Sequence, residues 1–336
     1  PRSALVVGGG PAGLAAALML AKEGWKVTVV EKNEDPAHYD PGRGFMYLID
    51  GRGQACLGEL DPFFMAELRG VSVDMTAASV AALTPAGLKE RNVPMKDPTR
   101  KSYWLPRHVF VSLLLKRARS HESIRIISGA ALESLTREPG GAVAARGTWS
   151  AGGLGGDWDV SGQLLVGADG MQSAVRAQLE AWDGHKGRFV PEQFDSPAAG
   201  LRYKVLTLPS DFVVDTPDGE AALSPRVMYA VRGAAPSGRR HKLGLIPSRG
   251  EHGTRTANLI TKPGDSVWDI SDVEGFRKYA ARQWPHFPLD DIVSEEELTR
   301  FAENRGGRFP KPQHSPRAAY CGADGGAGGG ADGGAD

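Results

Sequence analysis

The residues best placed to do chemistry stand near the start of the sequence, in LVVGGGPAGLAAALMLAKEGWKVTVVEK, Leu5 to Lys32. Gly8, Gly10 and Gly13 carry the spacing GxGxxG. In a turn from strand to helix, the first glycine permits the tight turn and the second lets backbone approach a pyrophosphate. The third lets the helix pack on the strand. A helix start then faces the anion with unpaired N–H groups. Glu31 closes the next apolar run, where a carboxylate can accept hydrogen bonds from a ribose hydroxyl and repel a 2′-phosphate. The chemistry implied is capture of a dinucleotide. A glycine-rich turn in an ordinary α/β unit is the alternative that spacing alone leaves open.

Such a site needs elements to hold it. Residues 4–7 read as a buried strand, 14–22 as an alanine-rich helix and 26–30 as a β-branched strand, which together make a right-handed crossover unit. Gly8 to Pro11 interrupt the apolar run before it could form a membrane-spanning helix of about 20 residues. Lys22, Glu23 and Lys26 follow too soon for a cleavable leader.

Two later stretches could complete a nucleotide site. In YWLPRHVFVSLLLKRAR, residues 103–119, Val109, Phe110, Leu113 and Leu114 form an apolar helical stripe, and the cations gather at the end that complements the helix dipole. Arg107 stands ahead of the stripe, as a ligand-facing or a merely exposed helix-start arginine. In LLVGADGMQSAVRAQL, residues 164–179, an apolar strand runs into Ala168-Asp169-Gly170 and then a helix opening near Ser173. An Asp-Gly pair also makes a simple turn.

GGGPAGLAAA with Glu31, the arginine- and glycine-bearing segment Arg43 to Gly53, Arg107 heading its helix, and GADGMQSAVR together resemble the single-component FAD-dependent aromatic hydroxylases. This is the para-hydroxybenzoate hydroxylase class, and the nearest likeness is to its kynurenine 3-monooxygenase-like branch. The resemblance covers roughly residues 3–320. It implies an α/β fold in which a Rossmann-like FAD-binding domain is interleaved with a mostly antiparallel substrate-domain sheet. It further implies that Gly8, Gly10, Gly13 and Glu31 hold the ADP half of FAD. Arg107 would contact the flavin's phosphate or ribityl region, and Asp169 and Gly170 would serve both FAD and NAD(P)H. Arg176 is a candidate for the nicotinamide nucleotide's phosphates, and Tyr103 falls where related enzymes have a substrate-contacting tyrosine, though it also reads as a buried strand residue. The activity implied is hydroxylation of a small aromatic substrate with oxygen through a flavin C4a-hydroperoxide. The arginine that kynurenine hydroxylases use for the substrate carboxylate has no clear match in Arg69 to Thr76, which speaks against kynurenine itself.

Composition sets the remaining bounds. The 336 residues are 41% hydrophobic, enough for one large or two modest cores. Lys+Arg and Asp+Glu balance at 40 each, which favours neither nucleic acid nor an anionic membrane as partner. Cys56 and Cys321 make no disulfide framework and point to a cytoplasmic or other reducing compartment. No metal-ligand spacing, Walker A sequence or GxSxG elbow is present. Residues 199–208, 226–232 and 242–247 read as strands of an antiparallel sheet. Arg239 to Lys242 form a solvated hairpin tip, and residues 273–288 a helix with Phe276, Tyr279, Ala280 and Trp284 on its core side.

The expected organisation is an FAD-binding domain over 1–185, with 70–100 contributing to the substrate side, and a substrate domain over 186–305. A return to the first domain follows at 306–320, then a disordered Gly/Ala/Asp tail over 321–336. The resemblance also implies a second flavin motif of the Gly-Asp-Ala-x-His type, which GADGG does not match. The sequence therefore reads as a fragment with a trimmed N-terminus. Two other functions remain open, a non-catalytic nucleotide-binding fragment and a flavin-dependent reductase without oxygenation.

Overall fold

An uninterrupted apolar strand has to be covered on both faces, and SALVV at Ser3–Val7 is treated in that way, with Leu5 and Val6 fully buried. The computed structural model describes residues 2–40, 44, 46–75, 78–93, 101–234, 238–249 and 253–320; Arg43, Cys321 and the 321–336 tail lie outside the described residues. The chain falls into two compact units, one of residues 2–36, 114–194 and 313–320, the other of 37–113 and 195–312.

In the first unit, four parallel strands lie in the order Leu164–Gly167, Ser3–Val7, Lys26–Glu31, Ile124–Ser128. The helix Pro11–Lys22 supplies the crossover between the second and third of these and buries Leu14, Ala17, Leu18 and Ala21. A three-stranded antiparallel sheet, Ala130–Arg137, Val143–Ala151 and Leu154–Gly162, sets Leu135, Ala145 and Trp158 against Leu5, Val7 and Val30. Its tightest turn is Gly152-Gly153, both at positive φ (59° and 81°), the conformation that a two-residue hairpin demands. This meander was not foreseen in the sequence.

The second unit is built on a seven-stranded sheet. Its order is Gly307–Arg308, Arg202–Pro209, Thr254–Thr261, Lys242–Leu245, Met228–Arg232, Ala78–Thr84, Gly87–Val93. Every pairing is antiparallel except Met228–Arg232 with Ala78–Thr84, which is parallel. Alternation sends Leu206, Leu208, Leu243, Leu245, Ala257 and Leu259 to one face, where the helices Val273–Gln283 and Glu295–Glu303 cover them with Phe276, Tyr279, Leu298 and Phe301. A smaller sheet places Ser102–Pro106 between Met46–Ile49 and Val73–Met75.

Three expectations shift. The 103–119 stretch is a strand to Pro106 and a helix only from Arg107, and its buried stripe is Phe110, Val111, Leu114, Leu115 and Ala118, with Val109 and Leu113 partly covered. The 273–288 helix stops at Gln283, so Trp284 packs from beyond its end. The basic stretch at 239–242 is not a wholly solvated tip. His241 is buried with its Nδ1 against the Tyr279 hydroxyl and its Nε2 3.3 Å from the Asp265 carboxylate, which accepts from the Arg239 guanidinium at 3.0 Å.

Lys204 carries a cost inside this unit. It is buried on the strand Arg202–Pro209, donates to the Ala302 carbonyl at 3.0 Å and lies 5.3 Å from the centre of the Phe301 ring. Burial lowers its pKa from 10.5 to about 8. Below pH 8 both folded and unfolded chains hold the proton and the burial penalty is complete. Between about pH 8 and 10.5 the unfolded chain binds more protons, so this lysine makes stability rise with pH. We predict that Lys204→Met raises stability at pH 7 by about 1–3 kcal/mol and flattens that rise. Urea unfolding of both proteins across this pH range measures it; an equal rise in the two would reject the assignment.

Candidate cofactor-binding site

The glycine turn is made of close approaches. Gly8 has φ +111°, and a Cβ there would stand 2.3 Å from the Ala168 carbonyl oxygen. One on Gly13 would stand 1.8 Å from the Gly8 carbonyl oxygen. Gly10 differs, since a Cβ there meets nothing within 4 Å. It is the cap residue of Pro11–Lys22, a helix with no side-chain cap and no acid in its first turn. The turn therefore packs on two of its glycines and leaves the third open beside a bare helix start, the arrangement that suits an anion.

Glu31 ends the strand Lys26–Glu31 and is 7% exposed. Its Oε2 accepts the Gly9 N–H at 2.6 Å, and its Oε1 accepts the Asn33 N–H at 2.8 Å and the Asn33 side-chain amide at 2.7 Å. A carboxylate offers about four acceptor positions, so one is left for a ribose hydroxyl. Gly9 was missed in the sequence. Its amide is the donor, and a Cβ on it would lie 2.8 Å from the Glu31 Cβ. The signal was the uninterrupted run of three glycines, where the motif asks for only two.

The Ala168-Asp169-Gly170 turn joins this group. Its strand Leu164–Gly167 pairs in parallel with Ser3–Val7, and the Ala168 N–H donates to the Val7 carbonyl at 2.7 Å. The two turns thus meet at the carboxyl ends of adjacent parallel strands, the end of an open α/β sheet at which ligands bind. Asp169 itself organises the following helix. Its carboxylate accepts the Ser173 hydroxyl at 2.6 Å and the Val175 N–H at 3.2 Å, while Ser173 caps Ala174–Trp182. Gly170 takes φ +88°.

Arg176 donates to the Met171 carbonyl at 2.6 Å. Together with Gly170 it lines a cavity of about 1270 Å³ that Arg137, Arg317, Trp182 and Tyr320 also border. Arg107 and Tyr103 belong to the other unit. Arg107 opens the helix Arg107–Arg119, half-buried, and Tyr103 is 6% exposed on Ser102–Pro106, as a buried strand residue would be. Among the described residues no helix is long and apolar enough to cross a membrane.

A family model described as FAD binding domain matches residues 2–199. The chain belongs to the FAD binding domain family. Over 172 residues it is 33% identical to 6-methylpretetramide 4-monooxygenase of Streptomyces rimosus, a match covering 51% of this chain and 39% of that protein. Kynurenine 3-monooxygenase of Salinispora arenicola (strain CNS-205) is 31% identical over 185 residues, covering 52% of this chain and 37% of that protein. The match thus spans less than half the length of these relatives. A solved variant of 2-methyl-3-hydroxypyridine-5-carboxylic acid oxygenase shares the fold, with a TM-score of 0.62 at 18% identity over 94% of this chain and 71% of that one. Within the matched residues, the first unit has groups that fit an adenine dinucleotide: an open glycine, an uncapped helix start and a buried carboxylate with, among the described residues, one acceptor position to spare.

Proposed function

We propose that this FAD binding domain chain acts as an NAD(P)H-using monooxygenase that hydroxylates a small aromatic substrate. The observation that carries the reading is Glu31, buried at the carboxyl end of its strand and hydrogen-bonded to the glycine turn beneath an uncapped helix start. Gly8 and Gly13 close the turn, Gly10 admits the pyrophosphate, and the remaining acceptor position of Glu31 takes a ribose hydroxyl. FAD, when bound, accepts hydride from the nicotinamide cofactor and activates oxygen.

The chain's other residues bind and orient. Asp169 and Gly170 fix the second turn beside the first, and Arg176 with its cavity is our candidate for the nicotinamide nucleotide's phosphates. Tyr103 is the candidate on the substrate side. Arg107 is proposed for the flavin's phosphate or ribityl region. A cation at the positive end of a helix dipole is unfavourable, which supports a role in meeting an anion.

Arg107→Ala is expected to reduce FAD retention about 10-fold or more, the scale of a charge-assisted hydrogen bond, with the melting of the apoprotein unchanged. Unfolding of that apoprotein would make Arg107 structural instead. The function is tested by desalting the purified chain, reading its visible flavin absorbance, and following NAD(P)H oxidation and hydroxylated product with a panel of phenols. Hydroxylated product supports the proposal, oxidation without it indicates a reductase, and a colourless protein indicates neither.

A further inference from the structure

The hairpin that joins Met228–Arg232 to Lys242–Leu245 is tied at its end to the last turn of the helix Val273–Gln283. Buried Gln283 accepts the His241 N–H through its Oε1 at 2.9 Å and donates through its Nε2 to the Arg239 carbonyl at 2.9 Å. Its own carbonyl accepts the Ala234 N–H at 2.7 Å, and the Trp284 indole N–H donates to the His241 carbonyl at 3.0 Å. Gly233 lets the two pieces close, since a Cβ on it would stand 2.6 Å from the His241 carbonyl oxygen and 2.7 Å from the Gln283 Oε1. A connection held this firmly departs from the usual mobile surface loop.

The clasp closes around a titratable ring. The His241 Nδ1 meets the Tyr279 hydroxyl, and Tyr279, 5% exposed, makes no other hydrogen bond among the described residues. Burial holds the Tyr279 phenol well above its usual pKa, so it keeps its proton. A neutral imidazole accepts that O–H on Nδ1. A protonated imidazole is a donor at both nitrogens, so the Tyr279 O–H is then sealed in without an acceptor. On the ring's other side, Nε2 stands 3.3 Å from the Asp265 carboxylate without making a hydrogen bond. That carboxylate already accepts from the Arg239 guanidinium at 3.0 Å and from the Lys262 N–H at 2.9 Å. The charged groups acting on His241 are Asp265 on its loop, Arg239 on the hairpin and Arg282 on the helix. Burial outweighs the attraction of Asp265 and, with repulsion from the two guanidinium groups, holds the ring's pKa below its usual 6.5.

We propose that the His241–Tyr279 contact is an acid-released latch: a neutral ring keeps the hairpin end closed on the helix, and uptake of one proton by His241 frees that end from Gln283 while the rest of the sheet stays paired. In the released form the ring stands in water and binds its proton at the ordinary pKa of about 6.5. The open form therefore binds more protons than the closed one, so the latch holds above that pH and loosens as pH falls below it. The event stays local because Val231, Leu243 and Leu245, in the strands behind the latch, are fully buried in the core.

Hydrogen exchange of the full chain, resolved at single amides and expressed as protection factors to remove the intrinsic pH dependence of exchange, tests the latch. Between pH 7.5 and 5.5 the protection of the Ala234 and His241 amides should fall about 5-fold or more, the scale set by a free imidazole gaining its proton over that interval. Amides of the central strand Thr254–Thr261 should keep theirs. His241→Asn supplies an acceptor that takes up no proton, and its protection at the two hairpin amides should be equal at both pH values. An NMR titration of the wild-type imidazole is the second reading, expected to place its pKa below 6.5, and it decides the matter if the asparagine variant does not fold. Constant protection in the wild type, a fall of equal size throughout the sheet, a fall that persists in His241→Asn, or an imidazole that titrates at or above 6.5 would each overturn the proposal.

Discussion

Replacing Gly13 with alanine is expected to cost about 4 kcal/mol or more and to abolish nucleotide binding. Helix propensity alone forecasts the reverse, since alanine inside Pro11–Lys22 should gain about 1 kcal/mol over glycine. Packing decides the outcome. The added Cβ would stand 1.8 Å from the Gly8 carbonyl oxygen, a backbone atom in a turn that is itself pressed against Ala168, so neither partner can withdraw without separating helix from sheet. Gly10→Ala is the matched control. Its Cβ enters open space and its φ of −77° suits any residue, so folding should change by only about 0.5 kcal/mol, while the new methyl group stands where the pyrophosphate approaches. Urea unfolding and calorimetric titration with ADP separate the two effects. A stable Gly13→Ala protein would show that the turn can open.

Loss of the Glu31 carboxylate should have the next largest effect. Glu31→Ala strands the buried Gly9 N–H and releases Asn33, at about 2–4 kcal/mol of stability, and it weakens ADP binding by about 1–3 kcal/mol. Glutamine should not rescue it. Both carboxylate oxygens accept from protein donors, so a carboxamide places its own N–H₂ against one of them. A Glu31→Gln protein with wild-type stability and ADP affinity would remove the three-donor clasp from the account.

What could be read in the sequence was what local chemistry determines. The crossover unit, its glycines, the Ser173 cap and the alternating strands of the second unit all follow from spacings of a few residues, and they stand where those spacings put them. The reading weakened wherever a partner came from far along the chain. Arg239 and His241 read as solvated because Asp265 and Tyr279, which bind them, lie on a later loop and helix. The strand Ala78–Thr84 gave no sign that it would pair in parallel with Met228–Arg232. In the helix from Arg107, Phe110 and Leu114 are buried as expected, while Val111, Leu115 and Ala118 extend the buried stripe toward the side opposite Val109 and Leu113.

The strand Ser3–Val7 lies inside its sheet, with Lys26–Glu31 on one side and Leu164–Gly167 on the other, about 160 residues further along. On the ribosome, at about 5–20 residues per second, the crossover has its own strand pair early, but the other edge of Ser3–Val7 waits on the order of ten seconds for its partner. Throughout that interval the Val7 carbonyl has no Ala168 amide to receive and Gly8 has no backbone to press against. The nucleotide turn is therefore synthesised well before it can reach its final shape. A chain with such sequence-distant pairing folds slowly, and a nascent polypeptide with an open apolar strand is a natural client for chaperones.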